Sequence, residues 1–257
     1  MPPPSVTWWG HATATVEDSG VRVLTDPVLT PRVAHLRRRR GPLPASAARH
    51  ADLVLVSHLH ADHLHRRSLR LVRPGATLVV PRGGRSLVHG LAHQVVEVVP
   101  GDRVELGPLS VDVVRAVHDG HRSPSSTVHG PALGFVVTGE SRTYFPGDTE
   151  DFADVAAELG GPVDTVLVPV GGWGPTLADG HMGPAQAAHF LRRIRPRLAV
   201  PVHWGTLWPW GLHGFRDHLF LRPGPDLRAL AAAGELPGTE VRLLHPGDTA
   251  SLACSPQ

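Results

Sequence analysis

Five side chains able to hold a metal fall within eight residues, in the stretch Ser57-His58-Leu59-His60-Ala61-Asp62-His63-Leu64-His65. Neutral imidazoles and carboxylates are the donors that zinc and similar divalent cations accept. His58 and His60 are two apart, so an extended backbone points both the same way. Asp62 and His63 follow where the chain turns, and can face a second cation beside the first. A histidine-rich tract can also be compositional, and this chain has 18 histidines. The ordered H-x-H-x-D-H arrangement, directly after an apolar run, separates this tract from such an accident.

The elements that must position these groups can be read in outline. Ala51-Asp52-Leu53-Val54-Leu55-Val56 reads as a buried strand, so the histidines leave a strand end held by a sheet. Short strands are predicted over residues 5–9, 12–16 and 21–25, the third ended by Asp26-Pro27. Residues 29–50 show little periodicity and form a long connection. A helix over 66–72 ends at Arg73-Pro74-Gly75. Strand, helix and strand signals follow at 77–80, 84–89 and 94–98, then strands at 103–106 and 109–117. Residues 131–138 and 142–145 predict a hairpin turning at Gly139-Glu140. A buried strand over 163–170, a helix over 185–193 and a strand over 198–202 come next, then a last helix over 226–233 and a last strand over 241–244. This alternation reads as α/β. No linker divides the chain, and the candidate ligands run from His58 to His203, so residues 1–257 read as one domain.

Other candidates sit at strand tips. The β-branched run 111–117 ends at His118, which suits a third ligand for the first cation; His121 and His129 are rivals. His203 leaves the strand over 198–202 and suits the second cation. Pro-Gly-Asp recurs at Pro100-Gly101-Asp102, Pro146-Gly147-Asp148 and Pro246-Gly247-Asp248. Alone it marks a turn. Asp148 differs in following a Tyr-Phe strand, preceding a helix expected to begin near Glu150, and lying between His118 and His203. Arg37-Arg38-Arg39-Arg40 reads as a solvated loop, or as a lip whose guanidinium forks attract an anionic substrate. Trp204, Trp208, Trp210, Phe215 and Phe220 read as core, with one or two lining a substrate cavity. Gly171-Gly172-Trp173-Gly174-Pro175 is a glycine-rich loop able to approach a ligand.

The histidine motif resembles the metallo-β-lactamase superfamily. Trp9-Gly10-His11-Ala12, Leu24-Thr25-Asp26-Pro27, Phe145-Pro146-Gly147-Asp148-Thr149, His181-Met182-Gly183-Pro184 and Pro201-Val202-His203-Trp204-Gly205-Thr206 are similar, in this order, to one branch of it. That branch holds the L-ascorbate phosphate lactonases and the N-acyl-phosphatidylethanolamine phospholipases D. The resemblance implies a four-layer αββα sandwich of two mixed sheets flanked by helices. It implies two divalent cations, zinc first, with manganese or iron as alternatives. His58, His60 and His118 would hold one; Asp62, His63 and His203 would hold the other; Asp148 would bridge them. It favours His118 over His121, and puts His181 beside the cations as an outer contact or proton donor and His11 near the site floor. His65 departs from the aspartate common in relatives, and Ala61 from a larger residue, so the surroundings of the centre differ.

Composition sets wider bounds. The chain has 257 residues, 41% of them hydrophobic, and a formal charge of +2. It contains no lysine, so all 25 of its Lys+Arg positions are arginine. No apolar run is long enough to span a bilayer, and Met1-Pro2-Pro3-Pro4 does not open a signal peptide. The single Cys254 excludes an intrachain disulfide framework and fits a reducing cytoplasm.

Two cations about 3.5–4 Å apart can share and acidify a water. The expected reaction is therefore hydrolysis of an ester, lactone or phosphodiester of a small molecule or lipid, with Asp62 orienting the nucleophile and His181 a candidate acid. A nuclease is the alternative in the same superfamily, but it would want a basic track and the arginine run is the only one, which argues against a nucleic-acid partner. A non-catalytic metal-binding protein is the third reading, opposed by the complete seven-residue ligand set. Self-association stays open.

Overall fold

Strands that are apolar on both faces need cover on both sides, and the computed structural model provides it. It describes residues 2–212 and 214–252; Cys254 lies outside them. The first half runs β1 (Ser5–Gly10), β2 (Thr13–Asp18), β3 (Val21–Thr25), β4 (Arg32–Val33), β5 (Leu36–Arg38), β6 (Leu53–Leu55), α1 (Arg66–Leu69), β7 (Thr77–Pro81), α2 (Arg85–Val88) and β8 (Gln94–Val98). The second runs β9 (Arg103–Leu106), β10 (Leu109–Arg115), β11 (Leu133–Thr138), β12 (Arg142–Phe145), α3 (Val155–Glu158), β13 (Thr165–Pro169), α4 (Pro184–Ile194), β14 (Leu198–Val202), β15 (Leu207–Pro209), α5 (Asp217–Leu221), α6 (Pro223–Ala232), β16 (Glu240–Val241) and β17 (Thr249–Ser251).

Two seven-stranded sheets result, ordered β17-β1-β2-β3-β6-β7-β8 and β16-β14-β13-β12-β11-β10-β9. Both are mixed: β3, β6, β7 and β8 run parallel, as do β12, β13, β14 and β16, and the remaining pairs are antiparallel. The two-residue period of a strand divides the side chains between layers. Leu53, Leu55 and Val79 join the cluster that contains Val111, Val113 and Phe135 of the second sheet. Val54, Leu78 and Val80 face the opposite way, against Leu69 of α1 and Val88 of α2. On the far side α4 buries Ala187, Ala188, Phe190, Leu191 and Ile194, a helical-period stripe. Pro184 opens α4, and the Gly183 N–H donates to Gln186 Oε1 at 2.8 Å. Truncating a ring buried like Phe190 costs about 3–5 kcal/mol. These layers are the four-layer sandwich of the resemblance.

Three sequence expectations change. The last strand is β17, which crosses to the first sheet and pairs with β1; residues 241–244 contribute only the end of β16. The helix after Asp148 begins at Val155, not near Glu150. The connection over 29–50 carries β4 and β5, which form a three-stranded sheet with β15. Its period is too short to register because β4 has only two residues.

Candidate metal centre

Chain segments leaving strand ends in both sheets converge on one place. His11 lies between β1 and β2, and Asp26 follows β3. The 58–63 motif follows β6, His118 follows β10, Asp148 follows β12, and His203 follows β14. His181 approaches from the loop before α4. Three of these residues hold left-handed backbone conformations unusual for side chains with a Cβ: φ is +54° at His11, +32° at Asp26 and +67° at His203. Such conformations cost free energy and cluster at functional sites.

One group consists of His58, His60 and His118. His58 Nε2 lies 2.9 Å from His60 Nδ1, which is 3.2 Å from His118 Nε2. The outward nitrogens are fixed from behind. His118 Nδ1 donates to the Gly180 carbonyl at 3.0 Å, and His58 Nδ1 donates to Ser57 Oγ at 3.0 Å. His58 and His118 therefore turn Nε2 lone pairs inward, as a ligating histidine requires, and His60 presents Nδ1 to them. Gly180 has φ +76°, and a Cβ there would sit 2.4 Å from His118 Nδ1.

The second group joins His11, Asp62, His63 and His203, whose donor atoms lie within 4.8 Å of one another. His63 Nδ1 donates to Asp26 Oδ2 at 2.6 Å, leaving Nε2 for the centre. Asp26 is itself held by the Ser57 backbone N–H on Oδ1 at 2.7 Å and by Ser57 Oγ–H on Oδ2 at 2.6 Å. His11 Nε2 meets Asp62 Oδ2 at 2.9 Å. Asp148 stands between the groups: its Oδ2 is 3.1 Å from both His63 Nε2 and His203 Nε2, and 3.9 Å from His58 Nε2.

Buried polar atoms normally find a partner. Here His63 Nε2, both ring nitrogens of His203, and Asp148 Oδ1 are buried without a hydrogen bond. The two Nε2 atoms are close to Asp148 yet misaligned for hydrogen bonding, an arrangement that suits donors aimed at a shared point. Burial, with neighbouring histidines adding, lowers His11 to about 3 and pushes His58 well below the usual imidazole range. Burial also lowers His118 to about 4, against the pull of Asp148. These rings are neutral, with lone pairs available. Burial would raise the carboxyls of Asp62 and Asp148, but His63 acts most strongly on Asp62, and His203 and His63 on Asp148, holding both well below the carboxylate range. His63 moves up: burial opposes its charge, and Asp148, Asp62 and Asp26 overcome it. The carboxylates thus draw a proton onto His63, and divalent cations held by this cluster would supply in its place the positive charge the carboxylates require.

All seven residues expected as ligands thus come together. His121 does not join them: it is exposed, its Nδ1 2.7 Å from Asp119 Oδ1, and it bridges to His129. His181 Nε2 lies 3.3 Å from Asp148 Oδ2, while Nδ1 faces the carbonyls of Ala178 and Asp179 at 3.2 Å. A cavity of about 140 Å³ beside it is lined by Trp173 and Pro175 of the glycine-rich loop. The aromatics after His203 divide. Trp204, Trp208 and Phe220 are core, whereas Trp210 and Phe215 are exposed. None of them lines that cavity; Trp173 does. Arg37 is exposed, and Arg38–Arg40 are held by partners within the protein. Arg38 donates to Trp9 O, Arg39 forks onto Asp217, and Arg40 reaches His245 and lies over the Trp204 ring. Asp102 and Asp248 cap turns by accepting from the Val99 and His245 N–H groups.

Asp26 is the site residue that sequence reasoning did not single out. Its only signal was position, at the end of a strand before proline. The parallel pairing of β3 with β6 sets Thr25 opposite Leu55 and so puts Asp26 beside Ser57.

Residues 21–204 match the family described as the beta-lactamase superfamily domain. The N-acyl-phosphatidylethanolamine-hydrolyzing phospholipase D 1 of Caenorhabditis elegans is 31% identical over 255 residues, 89% of this chain and 70% of that protein. A metal-dependent hydrolase of Thermococcus onnurineus is 33% identical over 217 residues, 79% of this chain and 85% of its own length. Against an uncharacterized protein of Mycobacterium tuberculosis, 32% identical over 228 residues and 80% of this chain, the chain spans only 61% of the relative's length. Among solved structures, a metallo hydrolase of Ignicoccus hospitalis has the same fold, with a TM-score of 0.72 at 20% identity, covering 99% of this chain and all of that one. With the histidine and aspartate cluster at the strand ends, these likenesses have one outcome: the chain belongs to the metallo-β-lactamase superfamily of metal-dependent hydrolases.

Proposed function

We propose that the chain, as one catalytic domain over residues 1–257, is a dinuclear hydrolase of an ester, lactone or phosphodiester in a small molecule or lipid. The observation that carries this is the position of Asp148 Oδ2, 3.1 Å from His63 and His203 Nε2 and 3.9 Å from His58 Nε2. A carboxylate so placed can serve both ligand groups at once. His58, His60 and His118 would hold one cation, and Asp62, His63 and His203 the other. Zinc is the first candidate, since nitrogen-rich sets with carboxylate suit it.

Two divalent cations held there would supply Lewis-acid polarisation of the substrate and an acidified water. The protein's own contribution is orientation and proton handling. Asp62, ionised and in contact with His11 through Oδ2, would serve as acceptor for the attacking water. His181 carries its Nδ1–H on backbone carbonyls, so Nε2 is the atom that exchanges a proton with the leaving group. Burial opposes its charge, and the Asp148 carboxylate raises its affinity for that proton. The Trp173 loop supplies an apolar wall for the group next to the scissile bond.

A phosphodiester is the preferred substrate class, because the nematode relative's name specifies an N-acyl-phosphatidylethanolamine hydrolase of phospholipase D type. No helix among the described residues is long and apolar enough to cross a membrane. With the lone cysteine of the sequence, this supports a cytoplasmic enzyme. Metal analysis with turnover of a nitrophenyl phosphodiester tests the reading. The wild type should carry close to two cations per chain, and His58→Ala and Asp148→Ala should lose metal and turnover together. Turnover that survives both substitutions would remove the dinuclear mechanism.

A further inference from the structure

Beyond the metal centre, we propose a second ligand site: a cleft on the outer side of the motif loop that binds the phosphate group of a phosphomonoester. Five arginines, Arg32, Arg66, Arg67, Arg70 and Arg122, line an open cleft of about 510 Å³ together with His65. They come from three separate segments: the β4 strand, the α1 helix with Arg70 that follows it, and the loop after β10. No carboxylate lines the cleft. The side chains of Arg32, Arg67 and Arg70 meet no acidic group among the described residues, in a chain whose formal charge is only +2.

Like charges gathered in one concavity repel, and low-dielectric walls focus their field. Without an anion the arrangement costs stability; with one it becomes a binding site. Two of the five guanidiniums are anchored. Arg122 donates from one nitrogen to the Leu59 and Leu64 carbonyls at 2.7 and 2.9 Å, and Arg66 donates to the Leu87 and His89 carbonyls at 2.9 and 2.5 Å. Anchored forks lose little entropy on meeting a ligand, and the exposed Arg32, Arg67 and Arg70 are free to close on it. Planar forks match the tetrahedral oxygens of a phosphate, and a dianion balances several of them at once. Arg122 also ties this cleft to the centre, because the carbonyls it holds belong to the loop that carries His60, Asp62 and His63. A phosphate drawn into the cleft would therefore lie alongside the catalytic loop without being one of its ligands.

The test is titration of the full chain with inorganic phosphate, and separately with vesicles containing phosphatidic acid against phosphatidylcholine alone. Phosphate can also bind a metal centre, so each ligand is titrated into the wild type, into Arg67→Ala/Arg70→Ala, and into His58→Ala/Asp148→Ala. We expect the arginine variant to bind at least tenfold more weakly and the ligand-group variant to keep its affinity. Arg32→Ala, on a different segment, should also weaken binding. Binding of inorganic phosphate identifies a soluble phosphomonoester as the natural source; binding of phosphatidic-acid vesicles alone identifies a lipid head group. Equal affinity of the arginine variants and the wild type in both arms overturns the proposal. So does binding that disappears only in His58→Ala/Asp148→Ala. Neither result bears on turnover at the metal centre.

Discussion

His63 Nδ1 donates to Asp26 Oδ2 at 2.6 Å across 37 residues of chain. That contact fixes the tautomer of His63 and turns Nε2 toward Asp148. Outer partners of this kind usually matter 10–100-fold for metal affinity. Asp26→Asn keeps the shape but weakens the acceptor, and Asp26→Ala removes it. Both should lower cation affinity by about 10–100-fold, with Asp26→Ala the worse because Ser57 also loses its partner. Competition with a chelator measures this. Affinities within twofold of wild type would show that Asp26 is only a turn residue.

His11 should distinguish the two halves of the centre. Its ring reaches Asp62, and its carbonyl accepts from the His203 N–H at 2.9 Å, so it orients two groups of the second cluster and none of the first. Asn tolerates the left-handed backbone better than Ala does. His11→Asn should therefore fold and keep one cation tightly while the other becomes weak, moving metal content from close to two toward one per chain. Loss of both cations together would mean the two clusters are a single cooperative unit.

Gly180 is a steric prediction. Its carbonyl receives the His118 Nδ1 proton, and its Cα faces that ring so closely that a methyl group would overlap Nδ1. The positive φ adds strain for any other residue. Gly180→Ala should displace His118, lowering kcat on a nitrophenyl phosphodiester by roughly 10- to 100-fold, in the range of outer-partner losses. Global stability should fall by only about 1–2 kcal/mol, since the loop is partly exposed. A kcat unchanged from wild type would show that the loop simply moves away.

How much of this was legible in advance follows from what each feature depends on. The strand before His58 could be read because a continuous apolar run and its polar border are local. The ligand set could be read because each member sits at a strand tip or in an ordered motif. Asp26 could not, since its role exists only after β3 and β6 pair in parallel. The arginine run shows the same limit: Arg39 is tied down by Asp217, 178 residues away, which no local pattern announces. Nor could the cleft of five arginines be seen, because Arg32, Arg66 and Arg122 are brought together by the fold and form no run. The β17 strand was missed because three residues after a Pro-Gly-Asp turn carry little periodic signal.

His65 makes the pH dependence of stability predictable. It is buried, and its Nδ1 lies 2.7 Å from Ser68 Oγ, which in turn accepts from the Leu29 N–H at 2.7 Å. Burial first, then Arg67 and Arg122, lowers its pKa from 6.5 to about 4. The unfolded chain takes up this proton near 6.5, whereas the folded chain resists it down to about 4. In that window the unfolded state binds more protons. The contribution is therefore complete above 6.5 and is lost as pH falls toward 4. The shift corresponds to on the order of 3 kcal/mol. His65→Gln keeps a group able to hydrogen-bond Ser68 but cannot titrate. Urea unfolding of chelator-treated wild type and His65→Gln, at neutral pH and near pH 4.5, isolates the effect, since His11, His118 and the other titrating groups are common to both. The wild type should lose about 2–3 kcal/mol more than the variant on acidification. Parallel losses in the two proteins would mean that His65 titrates normally and that the arginines around it do not act on its charge.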